Sequence, residues 1–228
     1  MCWLIAIVVL CVLAFLVWAS ADIGSGIYLK SYCHKPTSEK ILALTFDDGP
    51  DEEMTPKVLA ILKQYNIKAT FFMIGSKAAQ LSHIVREIVA EGHSIGNHTY
   101  SHKGVFPISG AKKVEIELCK CSSVIADIAG EQPKLFRPPF GVTNPIIGRV
   151  VRKLGLNSIG WSIRSLDTVS RRSRENVCNG IIKRLHPGAV ILLHDRCDDA
   201  DILLQMLIPQ IIEKGYRFTT IDKLILKN

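Results

Sequence analysis
The stretch Ile41-Leu42-Ala43-Leu44-Thr45-Phe46-Asp47-Asp48-Gly49-Pro50 sets the reading of the whole chain. Ile41 to Phe46 is an apolar run of strand length, made of residues that suit a buried sheet. It stops at two adjacent carboxylates and a Gly-Pro turn. Two carboxylates directly after a buried strand are costly unless something cationic stands near. The turn lets their side chains diverge, so that one can hold a metal while the other handles a proton.

Six further runs of strand length follow: Ala69–Ile74, Ser94–Asn97, Lys134–Arg137, Leu156–Trp161, Ala189–Leu193 and Tyr216–Thr219. Between them lie amphipathic stretches with legible ends. Thr55-Pro56 reads as a cap with proline at the first helical position, opening a helix to about Tyr65. Ser76 opens a helix that Gly92 closes, and Ser109 opens one ending near Gly130. Asn144-Pro145 starts another that stops at Gly155, and Ser173 one that stops before Pro187-Gly188. Asp201–Glu213 and Asp222–Leu226 complete the set. Seven strands alternating with helices predict an α/β fold of parallel strands and right-handed crossovers, closed into a barrel or left open.

The chemistry-bearing residues fall at the carboxyl ends of those strands, the face on which parallel α/β folds build active sites. Asp47 and Asp48 follow the first strand, and His98 and His102 the third. Arg137-Pro138-Pro139-Phe140 ends the fourth, Asp167 lies shortly after the fifth, and His194-Asp195 ends the sixth. Two imidazoles four positions apart share a face if their stretch is helical, and Asp48 offers a third ligand. Two histidines and a carboxylate form an open metal site with room for water. Zinc is the first expectation from these ligand types; cobalt, nickel, manganese and iron are compatible. Arg137 precedes two prolines that donate no backbone hydrogen bond, and it is expected to fold inward onto a carboxylate. Phe140 N–H is then the first free backbone donor and a candidate oxyanion donor.

In chain order, Thr45-Phe46-Asp47-Asp48-Gly49-Pro50, His98-Thr99-Tyr100-Ser101-His102, Arg137-Pro138-Pro139-Phe140, Trp161 through Asp167, and Leu192-Leu193-His194 resemble the five motifs of one family. It is the polysaccharide deacetylase family, the NodB-homology domain of carbohydrate esterase family 4. The resemblance spans roughly Ile41 to Leu226 and implies a distorted, partly open (β/α)7-type barrel. It implies metal-dependent removal of N-acetyl groups from N-acetylglucosamine units of an envelope polysaccharide. Peptidoglycan is expected first, then poly-N-acetylglucosamine or chitin-like oligomers. The resemblance casts Asp47 as general base, Asp48, His98 and His102 as metal ligands, and Arg137 as the group that orients Asp47. It casts Phe140 as backbone oxyanion donor, His194 as general acid and Asp167 as the carboxylate that tunes it. Leu192 is expected to wall the acetyl pocket, with Trp161 as a second substrate contact. In the fourth motif the family often has a carboxylate and a second Trp where Arg164 and Thr168 stand here. These departures alter the pocket wall and leave every metal ligand and proton-transfer group in place. An O-acetyl esterase of the xylan type would use the same residues, and a catalytically silent carbohydrate-binding protein would dispense with them.

The chain has 228 residues, a net charge of +7, 48% hydrophobic residues and 21% charged residues. It is too apolar for a disordered tail and too charged for a multi-span membrane protein. Met1–Ala21 carries no charge and matches a hydrocarbon core about 30 Å thick. Residues 1–21 are therefore expected to be a transmembrane anchor or a signal segment, with Ala19-Ser20-Ala21 as a small-x-small cleavage site. Residues 22–40 are expected to be a connecting stalk, and 41–228 one catalytic domain. An uncleaved anchor leaves that domain membrane-bound outside the cytoplasm, and cleavage secretes it. Lys30, Lys35 and Lys40 follow the span, opposite to the usual positive-inside bias. The basic residues form no long run and no aromatic-basic interleaving, so no nucleic-acid partner is expected. The seven cysteines have no CxxC spacing and read as free thiols.

Overall fold
Side chains alternate across a strand, and the first strand uses both of its faces. Leu42, Leu44 and Phe46 join a large apolar layer with Leu59 and Leu62 on one helix and Leu204, Leu207 and Ile208 on another. Ala43 points the other way, into a smaller cluster with Phe72, Leu135, Ile159 and Val190. A strand apolar on both faces belongs in a parallel sheet covered by helices on one side and curled around a core on the other.

The computed structural model, which describes residues 2–226, has that architecture. Met1 of the expected anchor and Lys227 and Asn228 of the expected catalytic domain lie outside the described residues. Its strands are β1 (Ile41–Gly49), β2 (Thr70–Met73), β3 (Ser94–Asn97), β4 (Leu135–Phe136), β5 (Asn157–Ser158), β6 (Ile163–Arg164), β7 (Ala189–His194) and β8 (Arg217–Phe218). All ladders are parallel, in the order β5-β4-β3-β2-β1-β7-β6, with β8 against the amino end of β1. The sheet curls into a partial barrel whose opening lies between β5 and β6. The helices are α1 (Cys2–Ala21), α2 (Met54–Gln64), α3 (Gly75–Gln80), α4 (Ser82–Ala90), α5 (Ala111–Ala129), α6 (Pro145–Lys153), α7 (Arg174–Ile182) and α8 (Ala200–Glu213).

Local chemistry explains most element ends. Asn144 caps α6 by accepting the Ile147 N–H at 2.8 Å, and Ser173 caps α7 by accepting the Asn176 N–H at 3.3 Å. Gly130 ends α5 at φ 81°, where a side chain would be strained. Other expectations were displaced. Thr55 lies inside α2, and the Asp51 carboxylate instead accepts the N–H groups of Glu53 at 3.1 Å and Met54 at 2.9 Å. The Thr55 hydroxyl accepts the Asp51 N–H at 2.8 Å and donates to Asp195 Oδ2 at 2.6 Å. The helix expected from Ser76 to Gly92 is broken at Leu81, whose ψ of 43° separates α3 from α4. Gly110, not Ser109, stands at the start of α5. Of the run Leu156–Trp161 only β5 is strand, Ile159 adding a single bridge to Tyr32, and β6 adds an eighth strand.

Residues 22–40 lie against the barrel. Ile23 and Leu29 are buried. Tyr32 N–H donates to Ser158 O at 2.9 Å and Gly160 N–H donates to Tyr32 O at 3.0 Å. His34 bridges to Ala189. This segment therefore lines the opening beside β5. Helix α1 is apolar on every side, with a mean hydropathy of 2.9 over Trp3–Ala21 and little burial. Among the described residues it is the one helix long and apolar enough to cross a membrane. Thr143 N–H donates to Ser20 O at 2.9 Å, which ties its last turn to the domain.

Candidate active site
The carboxyl end of β1 carries a bulge. Asp47 pairs with Phe72 and Gly49 with Met73, leaving Asp48 as the extra residue, at φ 70°. A bulge re-aims side chains next to a site, and here it brings two consecutive carboxylates to one pocket instead of opposite faces. Gly49 has no room for a side chain, because a Cβ there would collide with the Asp195 carboxylate. The bulge, rather than the Gly49-Pro50 turn, is what separates the roles open to the two aspartates.

Arg137 has no exposed surface, yet each guanidinium nitrogen finds a partner. Its Nη1 donates to Asp47 Oδ1 at 2.7 Å and Thr45 Oγ1 at 2.8 Å. Its Nη2 donates to Gly160 O at 2.8 Å and its Nε to Ile159 O at 3.2 Å. The guanidinium lies over the Phe72 ring at 4.2 Å. The arginine thus holds Asp47 and fills the interior beside the β5–β6 opening.

Asp48, His98 and His102 converge. Asp48 Oδ1 is 3.4 Å from His98 Nε2 and 3.3 Å from His102 Nε2. Tetrahedral ligands at about 2.0–2.1 Å from a zinc ion stand about 3.3 Å apart, so the donor atoms already have the spacing of a metal site. His98 Nδ1–H donates to the Arg137 carbonyl at 2.7 Å. That bond fixes the tautomer and leaves Nε2 free as a ligand. Burial alone would raise the Asp48 pKa, but the His98 hydrogen bond, both imidazoles and Arg196 hold it well below the usual carboxylate range. Burial and the neighbouring His98 push His102 down to about 4. A carboxylate at Asp48 and a neutral imidazole at His102 are protonation states that metal binding requires.

The two histidines do not meet on a helix. Residues 98–102 form a loop with left-handed backbone at Thr99 (φ 66°) and His102 (φ 47°). Asn97 Oδ1 accepts the Thr99 N–H at 2.8 Å, Thr99 Oγ1 accepts the His102 N–H at 3.1 Å, and Glu117 accepts the N–H and hydroxyl of Ser101 at 2.8 Å each. These bonds bring the two rings together, tilted at 41° with centroids 4.7 Å apart.

Across the pocket, Asp167 Oδ1 accepts from His194 Nδ1 at 2.8 Å and Oδ2 accepts the His194 backbone N–H at 2.8 Å. Burial works against charge on His194, but the Asp167 hydrogen bond and charge outweigh it and raise the imidazole above its ordinary value. Of the ten residues expected at the site, eight line one pocket of about 360 Å³; Arg137 and Asp167 stand behind it. Phe140, at φ 60°, lies on the rim with its ring 5.0 Å from that of His102. Leu192 and Trp161 form part of the wall, and Gly141 packs against the Trp161 ring.

Three contributors were not read from sequence. Arg196 Nε donates to Asp48 Oδ2 at 2.8 Å, on the oxygen that the imidazoles leave free. Lys77 Nζ donates to the Asp48 carbonyl at 2.8 Å. Thr45 shares Arg137 with Asp47. Only Thr45 had a signal, as the inward residue two before Asp47 on a strand.

A partial parallel barrel with an Asp-His-His donor set, a carboxylate held by a buried arginine and an Asp-His pair at its carboxyl face defines a metal-dependent hydrolase. The family model described as polysaccharide deacetylase matches residues 34–159. A peptidoglycan-N-acetylglucosamine deacetylase of Bacillus cereus is 35% identical over 194 residues, covering 83% of this chain and 90% of that protein. The crystal structure of the Bc1960 peptidoglycan N-acetylglucosamine deacetylase, in complex with 4-naphthalen-1-yl-N-oxidanyl-benzamide, has a TM-score of 0.82 at 34% identity. The match covers 87% of this chain and 94% of that one. A family 4 acetyl xylan esterase from Clostridium thermocellum, in complex with a cobalt ion, has a TM-score of 0.76 at 34% identity, over 82% of this chain and 91% of that one. The chain belongs to the polysaccharide deacetylase family.

Proposed function
We propose that this protein removes the N-acetyl group from N-acetylglucosamine units of peptidoglycan. The observation that carries the reading is the convergence of the three donor atoms of Asp48, His98 and His102 between Asp47 on one side and His194 on the other. The similarity to a peptidoglycan-N-acetylglucosamine deacetylase over most of both chains supports the substrate.

The donor set suits a divalent cation, and its borderline-soft nitrogen and oxygen character favours zinc. Bound there, such a cation supplies Lewis acidity, acidifying a water and polarising the acetyl carbonyl. Asp47 takes the proton of the attacking water as general base, and Arg137 keeps that carboxylate aimed. Phe140 N–H donates to the oxygen on which negative charge develops, a contribution of about 3 kcal/mol for one such donor. His194 protonates the departing sugar nitrogen, because an amine leaves poorly without a proton, and Asp167 holds the ring in place for that transfer. Leu192 and Trp161 wall the space for the acetyl group. The products are acetate and a glucosaminyl unit.

Residues 1–21 act as a membrane anchor in this reading, supported by the charge-free helix α1 and its exposed apolar surface. The catalytic domain then stands outside the cytoplasm, where peptidoglycan lies. Similarity to an acetyl xylan esterase favours one second reading, O-deacetylation by the same groups. Acetate release by the detergent-solubilised full chain, compared on peptidoglycan, chitin oligomers and acetylated xylan, tests the assignment. The reading expects release from peptidoglycan to dominate; release confined to acetylated xylan overturns it.

A further inference from the structure
The loop after β7 brings a second set of metal-binding atoms together behind the same pocket, where Cys197 and Asp167 are buried. Cys197 folds back over His194, its N–H directed at the His194 carbonyl at 3.5 Å. Asp167, His194 and Cys197 each offer a ligand atom, and the three atoms lie within 4.8 Å of one another. A carboxylate, an imidazole and a thiol are the three ligand types that zinc takes in proteins. Cys197 has no part in the acid–base and metal chemistry described above, which leaves its position unexplained by that chemistry.

We propose that Asp167, His194 and Cys197 form a second, inhibitory zinc site beside the catalytic one. The ion enters from the pocket, which His194 lines. It takes the place of two protons, one on the His194 Nδ1 that now binds Asp167 Oδ1 and one on the Cys197 thiol. Two protons leave to solvent for each Zn²⁺ bound, so charge balances, and only small shifts of the Asp167 and His194 side chains admit the ion. A zinc-bound imidazole has no readily donated proton, whichever nitrogen it uses. The site therefore removes the proton donor without touching Asp48, His98 or His102. This inhibitory consequence rests on the acid role of His194; the site itself does not.

Two features make the second site the weaker one. Its Asp167 oxygens are already engaged by Ser165, the His194 ring and the His194 backbone. Arg196 and Arg174 stand near Cys197 and oppose a cation. Occupancy thus needs zinc in excess of the catalytic equivalent. A thiolate ligand also selects for soft metals, so excess zinc or cobalt fills the site while excess magnesium or manganese does not.

Cobalt titration of the full-length protein tests this. The second equivalent of Co²⁺ is expected to bring up an intense thiolate-to-cobalt charge-transfer band in the near ultraviolet, absent in Cys197→Ser and Cys197→Ala. With zinc, wild-type acetate release is expected to peak near one equivalent and then fall about 100-fold at saturation, the usual worth of a positioned general acid. Both variants should keep the one-equivalent rate and lose the fall. A missing band, or a band that persists in both variants, overturns the site. A band that depends on Cys197 together with undiminished turnover in excess zinc overturns the inhibitory role. If no acetate is released under any condition, the band still decides whether the site exists, separately from the proposed function.

Discussion
Arg137 Nη1 and Asp47 Oδ1 are 2.7 Å apart with almost no solvent on either side: the arginine side chain is unexposed and the aspartate side chain 5% exposed. Removing one partner of a buried pair leaves the other charge without compensation, at a cost of about 3–5 kcal/mol. Arg137→Met is therefore expected to lower unfolding free energy by about that amount in urea titrations. A loss below about 1 kcal/mol, typical of exposed pairs, would contradict the buried geometry.

Gly49 sits where the Asp195 carboxylate closes against the bulge of β1. Gly49→Ala must push that carboxylate away from the Thr55 hydroxyl that binds it at 2.6 Å. Overpacking of this kind costs about 1–3 kcal/mol, so thermal unfolding should shift clearly downward. An unchanged midpoint would show that the loop after β7 yields freely.

The two adjacent aspartates should separate in metal analysis. Asp48→Asn is expected to lose bound metal and turnover together. Asp47→Asn should retain metal and lose turnover about 10²–10⁴-fold, the range for a general base. Metal content by atomic emission, measured beside acetate release, reads both. Equal metal loss in the two variants would contradict the division of roles.

Asp167 raises the His194 pKa against the effect of burial. An acid must be protonated to act, so activity falls as pH rises through that value. Asp167→Asn removes the charge that raises it, and the alkaline limb of kcat/KM should move to lower pH. A limb that stays in place would detach His194 from the pH profile. His194→Ala should slow amide substrates more than activated esters, whose leaving groups need no proton.

The order of strands and helices was legible because strong patterns carried it: two-faced apolar runs for β1 and β7, and the Asn144-Pro145 cap. Elements set by tertiary contact were not legible. Ile163–Arg164 pairs with β7 over two residues only, too few for a periodicity. The loop at 98–102 takes left-handed backbone at Thr99 and His102 because Asn97 and Glu117 hold it, and Glu117 comes from α5, far along the chain. The convergence of site residues on one face followed from their places at strand ends. Arg196 carried no pattern; only the loop after β7 brings its guanidinium to Asp48.

Anomalous diffraction from crystals of the zinc-loaded protein, collected at the metal edge, tests the central assignment most directly. The account predicts a strong peak about 2.0–2.2 Å from Asp48 Oδ1, His98 Nε2 and His102 Nε2. A fully loaded crystal with no peak bonded to those three atoms would contradict it.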